Sequence, residues 1–173
     1  MAIRVQLDRV LVERRMSLTE LADRVGVTPF IVAQAAVAVV LGRLAGTEDI
    51  PVGVAVAGRD QPGLDDLVGM FVNTVVLRTR TDPAQTVTDL LAAVRREFGA
   101  SLGNSSIPFE QVVEALAPHR SLSHTPMYQV ATTWQDDPLS MARGGGAFDI
   151  DVVRIPSAKC DLAISFTQSR SET

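Results

Sequence analysis

The segment that most constrains the fold is residues 30–46, FIVAQAAVAVVLGRLAG. Thr28 and Pro29 precede it, and proline is favoured in the first turn of a helix, so we predict a helix from residue 30 to about residue 44. Because this helix is apolar on nearly all sides, it must be buried rather than lie on a surface. Leaving one large side chain such as Phe30 in water would forfeit roughly 1.5–3 kcal/mol. The other segments must therefore pack around this helix.

Shorter patterns on either side indicate further helices and strands. Ser17 and Glu20 have the spacing of a capping box, which starts a helix that Gly26 ends. Helices alternating with strands predict an α/β fold with a mixed β-sheet and packed helices. The last three strands, which no helix separates, predict an antiparallel part. The remaining helices are predicted at 64–71, 87–102 and 108–117, and the strands at 51–57, 72–80, 127–135, 147–155 and 160–168.

Composition limits the classes of partner. The 173 residues carry a net charge of −4, from 16 basic and 20 acidic residues spread along the chain. No basic stripe indicates a nucleic-acid partner. No apolar stretch reaches the roughly 20 residues that span a bilayer, so no membrane partner is expected, and the charged start is not a signal peptide. Cys160 is the only cysteine and cannot form an internal disulfide, so we expect a cytoplasmic protein.

The reactive side chains do not form a catalytic constellation. His119 and His124 lack the four-residue spacing of a helical zinc pair, and no other histidine or second cysteine completes a site. Cys160 lies in a strand pattern, which is more typical of a core residue than of a nucleophile. The glycines of residues 53–59 come without the lysine of a phosphate-binding loop. We therefore expect no catalytic residue, no metal and no directly bound cofactor.

Three motifs together resemble those of one enzyme family. Residues 67–78, LVGMFVNTVVLR, resemble the VGxFVNT…R motif of condensation domains from nonribosomal peptide synthetases. Ile107-Pro-Phe-Glu resembles that family's QD-x-PFE motif, although Ser105-Ser106 stands in place of QD. Residues 120–127, RSLSHTPM, resemble its R-x-x-S-x-x-PL motif. All three motifs occur in the family's order.

The resemblance covers residues 18 to about 166 and implies half of a two-lobed enzyme. The family has two chloramphenicol-acetyltransferase-like lobes around a tunnel. Two substrates, each a thioester on the phosphopantetheine arm of a carrier protein, enter from opposite ends, and the amine of one attacks the thioester of the other. The family's HHxxxDG motif belongs to the first lobe and is absent here. The resemblance implies an incomplete C-terminal lobe at 17–168, between an N-terminal extension (1–16) and a tail (169–173).

The same resemblance implies partners and a site. Peptidyl or aminoacyl carrier proteins, with their phosphopantetheine arms, and a separate first lobe are expected partners. Self-association is also expected, through an uncovered face around Met70, Phe71 and Asn73, together with Met127 and Trp134. The chain alone is expected to be inactive, or to be a non-catalytic docking module. Asn73 is expected to face the tunnel as a polar wall group, and Arg78 and Glu110 to form structural pairs or caps. The motif residues assigned to the tunnel are Gly69, Phe71, Asn73, Thr74, Arg78, Pro108, Phe109, Glu110, Arg120, Ser123 and Pro126.

A second resemblance competes at the start of the chain. Residues 4–28, RVQLDRVLVERRMSLTELADRVGVT, resemble the first two helices of a Cro/C1-type helix-turn-helix repressor. A recognition helix would then follow, and it would need polar side chains on its groove face to read bases. The segment that follows, FIVAQAAVAVV, has Gln34 as its one polar side chain. A DNA-binding regulator is therefore the less favoured alternative.

Overall fold

The computed structural model describes residues 16–116, 125–136 and 159–168, which contain four helices and four strands. The helices are α1 (Leu18–Val25), α2 (Pro29–Ala45), α3 (Val87–Gly103) and α4 (Phe109–Leu116). The strands are β1 (Asp49–Val56), β2 (Asn73–Arg80), β3 (Val130–Asp136) and β4 (Leu162–Gln168), in the sheet order β2-β1-β3-β4. The predicted α/β fold with a mixed sheet is confirmed.

The chain divides into two compact units, each formed from two separate stretches. The first consists of the described parts of Met1–Pro51 and Leu77–Asn104, and the second of the described parts of Val52–Val76 and Ser105–Thr173. The first unit holds α1, α2 and α3, the second holds α4, β3 and β4, and β1 and β2 contribute to both.

Helix α2 forms much of the core of the first unit, as its apolar sequence predicts. Phe30 packs against Phe98 of α3, with ring centroids 4.5 Å apart. Gly42 allows close packing, because a Cβ there would lie 3.0 Å from the Thr47 carbonyl oxygen and from the Thr81 hydroxyl. A helix buried in this way cannot present the polar groove-facing side chains of a recognition helix. Its buried residues are Ile31, Val32, Ala33, Gln34, Ala35, Val37, Ala38 and Gly42.

Local sequence signals set both ends of α1. The Ser17 hydroxyl accepts a hydrogen bond from the Glu20 amide (3.0 Å), and the Glu20 carboxylate accepts one from the Ser17 amide (2.6 Å). This is the predicted capping box. Hydrogen bonding to the Ser17 backbone amide, and then to the Ser17 side chain, holds the pKa of the Glu20 carboxyl below its ordinary value. Gly26 ends the helix at φ 69°, a left-handed conformation that glycine adopts without steric cost.

The second unit is built on a parallel ladder. Val52 of β1 lies opposite Val130 of β3, and Val130 lies opposite Leu162 of β4, both in parallel pairings. Trp134 and Phe166 stack across β3 and β4 with ring centroids 5.8 Å apart. Side chains of these two strands therefore meet in register along the ladder.

The antiparallel arrangement expected among the last strands does not hold for β3 and β4. Parallel neighbours need a crossover of a dozen or more residues, and residues 137–161 are long enough to provide one. The strand predicted at 147–155 lies outside the described residues.

The helix predicted at 64–71 is wrong, because this segment forms turns and irregular backbone. The reason is an interaction that the apolar period does not reveal. The Arg59 guanidinium donates to the carbonyl oxygens of Leu64 and Leu67, and the Leu64 carbonyl also accepts from the Leu67 amide at 3.2 Å, a three-residue turn contact rather than the four-residue contact of an α-helix.

Within the described ranges, no single helix is long and apolar enough to cross a membrane. Helices α1 and α2 meet that test only when counted together, and they are bent by 100° at their junction.

Replacing Val37 with Asp tests the burial of α2. Val37 is 4% exposed, and an unpaired charge there costs several kcal/mol, which is comparable with the whole stability of a domain. We expect the cooperative thermal transition in circular dichroism to be lost. Leu44→Asp, at a 64% exposed side chain of the same helix, is the matched control and should cost less than about 1 kcal/mol. An unchanged melting curve for Val37→Asp would show that this face of α2 is exposed.

Candidate functional site

Asn73, from the first motif, uses every hydrogen-bonding position of its side chain within the chain. Its Nδ2 donates to the carbonyl oxygens of Ser105 (2.7 Å) and Ile107 (2.8 Å). Its Oδ1 accepts from the amides of Thr74 (2.8 Å) and Phe109 (3.1 Å). A carboxamide has two donor hydrogens and two acceptor lone pairs, so no hydrogen-bonding capacity is left for a substrate. These bonds hold the second motif against the start of β2.

The bond to Phe109 also completes the start of α4. The first amides of a helix have no partner inside the helix, and the Asn73 Oδ1 satisfies the Phe109 amide from a distant part of the sequence. Pro108, just before the helix, has no amide hydrogen, and its carbonyl accepts from the Gln111 amide at 3.0 Å. Asn73 therefore acts as a long-range cap that fixes the start of α4.

Ser105, one of the two serines that stand where the family's motif has QD, joins the turn to a distant carboxylate. Its side chain is buried, and its hydroxyl donates to Oδ2 of Asp60 at 3.1 Å. Its carbonyl accepts from Asn73. Asp60 therefore brings a carboxylate to this turn, where the sequence itself has lost the acidic group.

Tyr128, the residue after the third motif, joins that motif to the same cluster. Its ring lies so close to β1 that a Cβ at Gly53 would come within 2.6 Å of it. Its ring centroid is 5.5 Å from that of Phe109. Burial is the main cause that raises the pKa of Tyr128. Met127 leads into this position at φ 70°, a left-handed conformation that is uncommon for a residue with a side chain.

The first two motifs and Tyr128, the residue that follows the third motif, form one cluster within the second unit. The first motif bonds the second through Asn73 and Phe109, and the second packs on Tyr128 through the Phe109 ring. Pro126 of the third motif is half-buried and lies two residues before Tyr128 in the sequence. Arg120 and Ser123, predicted from the third motif, and the two histidines lie outside the described residues.

A cavity of about 350 Å³ lies beside Asn73. Asp60, Ser106 and Glu110 contribute polar groups to its lining, and Phe71 and Pro108 contribute apolar surface. Such a lining can take a ligand that has both alkyl parts and hydrogen-bonding groups. Within the described parts of the chain, no group of three or more histidine, cysteine or carboxylate side chains could hold a metal ion.

Arg59, which sequence reasoning missed, organises the 58–71 loop that borders this cavity. Its guanidinium donates to the Leu64 carbonyl and, at 3.0 Å, to the Leu67 carbonyl. The guanidinium carbon also lies 4.4 Å from the centroid of the Phe71 ring. Gly58 has φ 65°, and a Cβ there would overlap the Phe71 carbonyl oxygen. The only signal in the sequence is the AGR triplet at 57–59, which does not reveal these contacts.

The other predicted residues have separate surroundings. Arg78 pairs with Asp49 in the first unit, with Nε 2.7 Å from Oδ1 and 3.0 Å from Oδ2. These hydrogen bonds from Arg78 hold the pKa of the Asp49 carboxyl below its ordinary value, but an exposed pair of this kind contributes little stability. Glu110 is exposed in the first turn of α4. Gly69 lies near the Phe71 ring, which a Cβ at Gly69 would approach to 3.0 Å.

The sequence matches the model of the condensation domain over residues 3–167. The chain belongs to the condensation domain family, as the three motifs predict. It is 37% identical over 162 residues to the isonitrile lipopeptide synthase of Mycobacterium tuberculosis, covering 91% of this chain and 6% of that protein. It is 41% identical over 153 residues to a probable non-canonical nonribosomal peptide synthetase, CymA, of Salinispora arenicola, covering 87% and 2%. For the phosphinothricin tripeptide synthetase PhsC of Streptomyces viridochromogenes the identity is 36% over 169 residues, covering 92% and 15%. The chain therefore spans a small part of each of these relatives.

Solved structures agree with the family. The X-domain from teicoplanin biosynthesis has a TM-score of 0.75 at 24% identity, and the match covers 90% of this chain and 35% of that one. At this identity the likeness shows the fold alone. A four-domain nonribosomal peptide synthetase bound to AMP and glycine has a TM-score of 0.66 at 31% identity, covering 68% of this chain and 9% of that one.

Asn73→Asp tests the four-bond arrangement, because it keeps the shape of the side chain and removes both donors. A carboxylate would face the carbonyl oxygens of Ser105 and Ile107, so we expect a loss of about 2 kcal/mol of unfolding free energy at pH 7. The same repulsion favours the protonated acid and raises the pKa of the introduced carboxyl in the folded state. The protonated carboxyl then contributes its full stability at pH values below its pKa in the unfolded state, roughly 3.9. This contribution is lost as the pH rises through the higher pKa of the folded state. The deficit should therefore shrink as the pH falls from 7 towards 4.

Urea unfolding of the wild type and of Asn73→Asp between pH 7 and pH 4 measures the difference in unfolding free energy. Gln111→Glu makes the same amide-to-carboxylate change at an exposed position of α4 and should show no deficit that grows with pH. A deficit for Asn73→Asp that is the same at every pH would contradict the two carbonyl contacts.

Proposed function

We propose that this chain forms the C-terminal lobe of a condensation domain and supplies one wall of the tunnel in which two carrier-bound thioesters meet. The family acts on substrates tethered to phosphopantetheine. The observation that carries the proposal is the convergence of the first two family motifs, with Tyr128 packed against them, beside one cavity. The proposed setting is the cytoplasm, and the proposed partners are carrier proteins and a separate first lobe.

In this proposal the cluster binds and orients the substrate arm, and it moves no proton. A phosphopantetheine arm consists of short alkyl segments separated by amide groups. The apolar surface of Phe71 and Pro108 suits the alkyl segments, and Ser106 and Glu110 provide hydrogen-bonding groups for the amides. Asn73 fixes the turn that carries these residues, since its own bonding positions are already filled.

We infer that these 173 residues alone do not form the amide bond. They contain no HHxxxDG motif, whose second histidine lies at the reaction centre in the family, and His119 and His124 are not adjacent. A general base must lie within hydrogen-bond reach of the proton that it removes. In this proposal the base comes from the first lobe.

Incubating the chain with two carrier proteins, loaded with different aminoacyl groups, should give no amide detectable by mass spectrometry. A parallel reaction includes a polypeptide that carries the HHxxxDG lobe, and product in that reaction alone would support complementation. Product from the chain alone that survives both His119→Ala and His124→Ala would contradict the inferred inactivity and this account of the chemistry.

Docking without catalysis is the second candidate function, and the same cavity supports it. Binding without turnover, even with the HHxxxDG lobe present, would favour this alternative.

We expect a carrier with a stable aminoacyl amide on its phosphopantetheine arm to bind more tightly than the unmodified carrier. Ser106→Phe should fill part of the cavity and weaken binding of the loaded carrier by about tenfold, equivalent to 1.4 kcal/mol. Isothermal titration calorimetry measures both affinities, and the unmodified carrier, which has no arm to place in the cavity, is the control ligand.

Self-association remains a prediction for the chain without a partner lobe. Met70 is 90% exposed, whereas Phe71 is half-buried beneath Arg59. A dimer at micromolar concentration would therefore depend on Met70 more than on Phe71. Light scattering over a dilution series measures the oligomeric state directly.

A further inference from the structure

The cavity beside Asn73 lies between two segments that are distant in the sequence. One wall is the 58–71 loop, which includes Asp60, and the other is the turn at 105–110, which includes Ser105. Both walls belong to the second unit. The spacing of the two walls therefore decides how large a group the cavity can hold.

The backbone of each wall is held by hydrogen bonds from one side chain. Arg59 donates to the Leu64 and Leu67 carbonyls within the loop. Asn73, two residues after the loop, donates to two carbonyls of the turn. Each wall therefore keeps its own shape, and the contacts between the walls set how far apart they lie.

A hydrogen bond between side chains joins the loop directly to the turn. The Ser105 hydroxyl donates to Oδ2 of Asp60 at 3.1 Å. Because a serine hydroxyl is attached directly to Cβ, this bond forms only when the two walls are close. Ser105 is buried, and a buried hydroxyl that loses its partner costs free energy. Separating the walls at this point is therefore unfavourable.

The size of the cavity indicates what the closed arrangement admits. Its volume is about 350 Å³, near the lower end of the roughly 300–1,000 Å³ of ligand pockets. We propose that the Asp60–Ser105 hydrogen bond is a positioning contact that keeps this cavity narrow and so selects small aminoacyl groups over large ones. This inference rests on the proposed function and names the substrate class of the same site.

The bond limits how strong this selection can be. A large group must push the walls apart and break the Asp60–Ser105 bond, whereas a small group leaves it intact. The affinity for the large group is therefore reduced by the net free energy of the bond and by no more. Removing the bond should return that affinity, so the proposal predicts a gain in binding.

Two loaded carrier proteins provide the test. One has an alanyl amide and the other a phenylalanyl amide on the phosphopantetheine arm, and isothermal titration calorimetry measures the affinity of the full chain for each. The wild type should bind the alanyl carrier more tightly than the phenylalanyl carrier. A preference for the phenylalanyl carrier would overturn the proposal.

Removing either partner of the bond should weaken this selection. Ser105→Ala removes the donor and Asp60→Ala removes the acceptor, and each should raise the affinity for the phenylalanyl carrier about fivefold, the scale of one net hydrogen bond. The double variant should give the same gain as either single variant, because all three remove the same bond. A residue that only stabilises the fold would not give tighter binding of one ligand when it is replaced.

Two further variants separate the hydrogen bond from other effects of the carboxylate. Asp60→Asn keeps an acceptor oxygen, so it should retain the wild-type preference for the alanyl carrier. Asp66→Ala removes another exposed carboxylate of the same loop, outside the lining of the cavity, and should bind both carriers as the wild type does.

The outcomes distinguish this inference from the proposed function. Unchanged affinity of Ser105→Ala for the phenylalanyl carrier would overturn the inference alone, and so would a gain in Asp60→Asn as large as that in Asp60→Ala. Equal affinity of the wild type for the alanyl carrier and for the unmodified carrier would overturn the proposed function, and the inference with it.

Discussion

The carboxamide of Asn73 is the interaction on which the candidate site depends. Its two donors and two acceptors bind four backbone groups, three of which lie more than thirty residues away in the sequence. Leaving a polar group of this kind without a partner costs more than forming its bond gains, so the four bonds favour one arrangement of the turn at 105–109. From this turn the polar network continues through Ser105 to Asp60. Groups bonded in series polarise one another, which strengthens each bond of the series.

The fold could be predicted where the signal was local. The apolar run of α2 could be satisfied only by burial, and the Ser17–Glu20 spacing and Gly26 set the ends of α1 through contacts within a few residues. The prediction failed at 64–71, because the contacts of Arg59 with the Leu64 and Leu67 carbonyls, which hold this irregular backbone, do not appear in the apolar period. The parallel direction of β3 and β4 could not be predicted either, because the alternation of two strands does not encode their relative direction.

The candidate site could be predicted in part. The motifs identify Asn73, Thr74 and Phe109 as important, yet the bonds of Asn73 run to backbone atoms, which no side-chain pattern reveals. Tyr128 and Ser105 are equally invisible in the sequence, because their roles follow from contacts with Phe109 and Asp60 across long sequence separations. A motif therefore predicts which residues lie close together, but it does not predict the role of each side chain.

The contact between Gly53 and Tyr128 links two positions far apart in the chain. The phenol ring occupies the space in which a side chain at 53 would lie. The packing therefore requires a small residue at 53 opposite a large one at 128. Over evolution, a larger residue at 53 would be tolerated only with a smaller one at 128, and the two positions should covary. A recombination breakpoint at any position between them would take the two partners from different parents. Chimaeras of this region should therefore inherit both positions from the same parent.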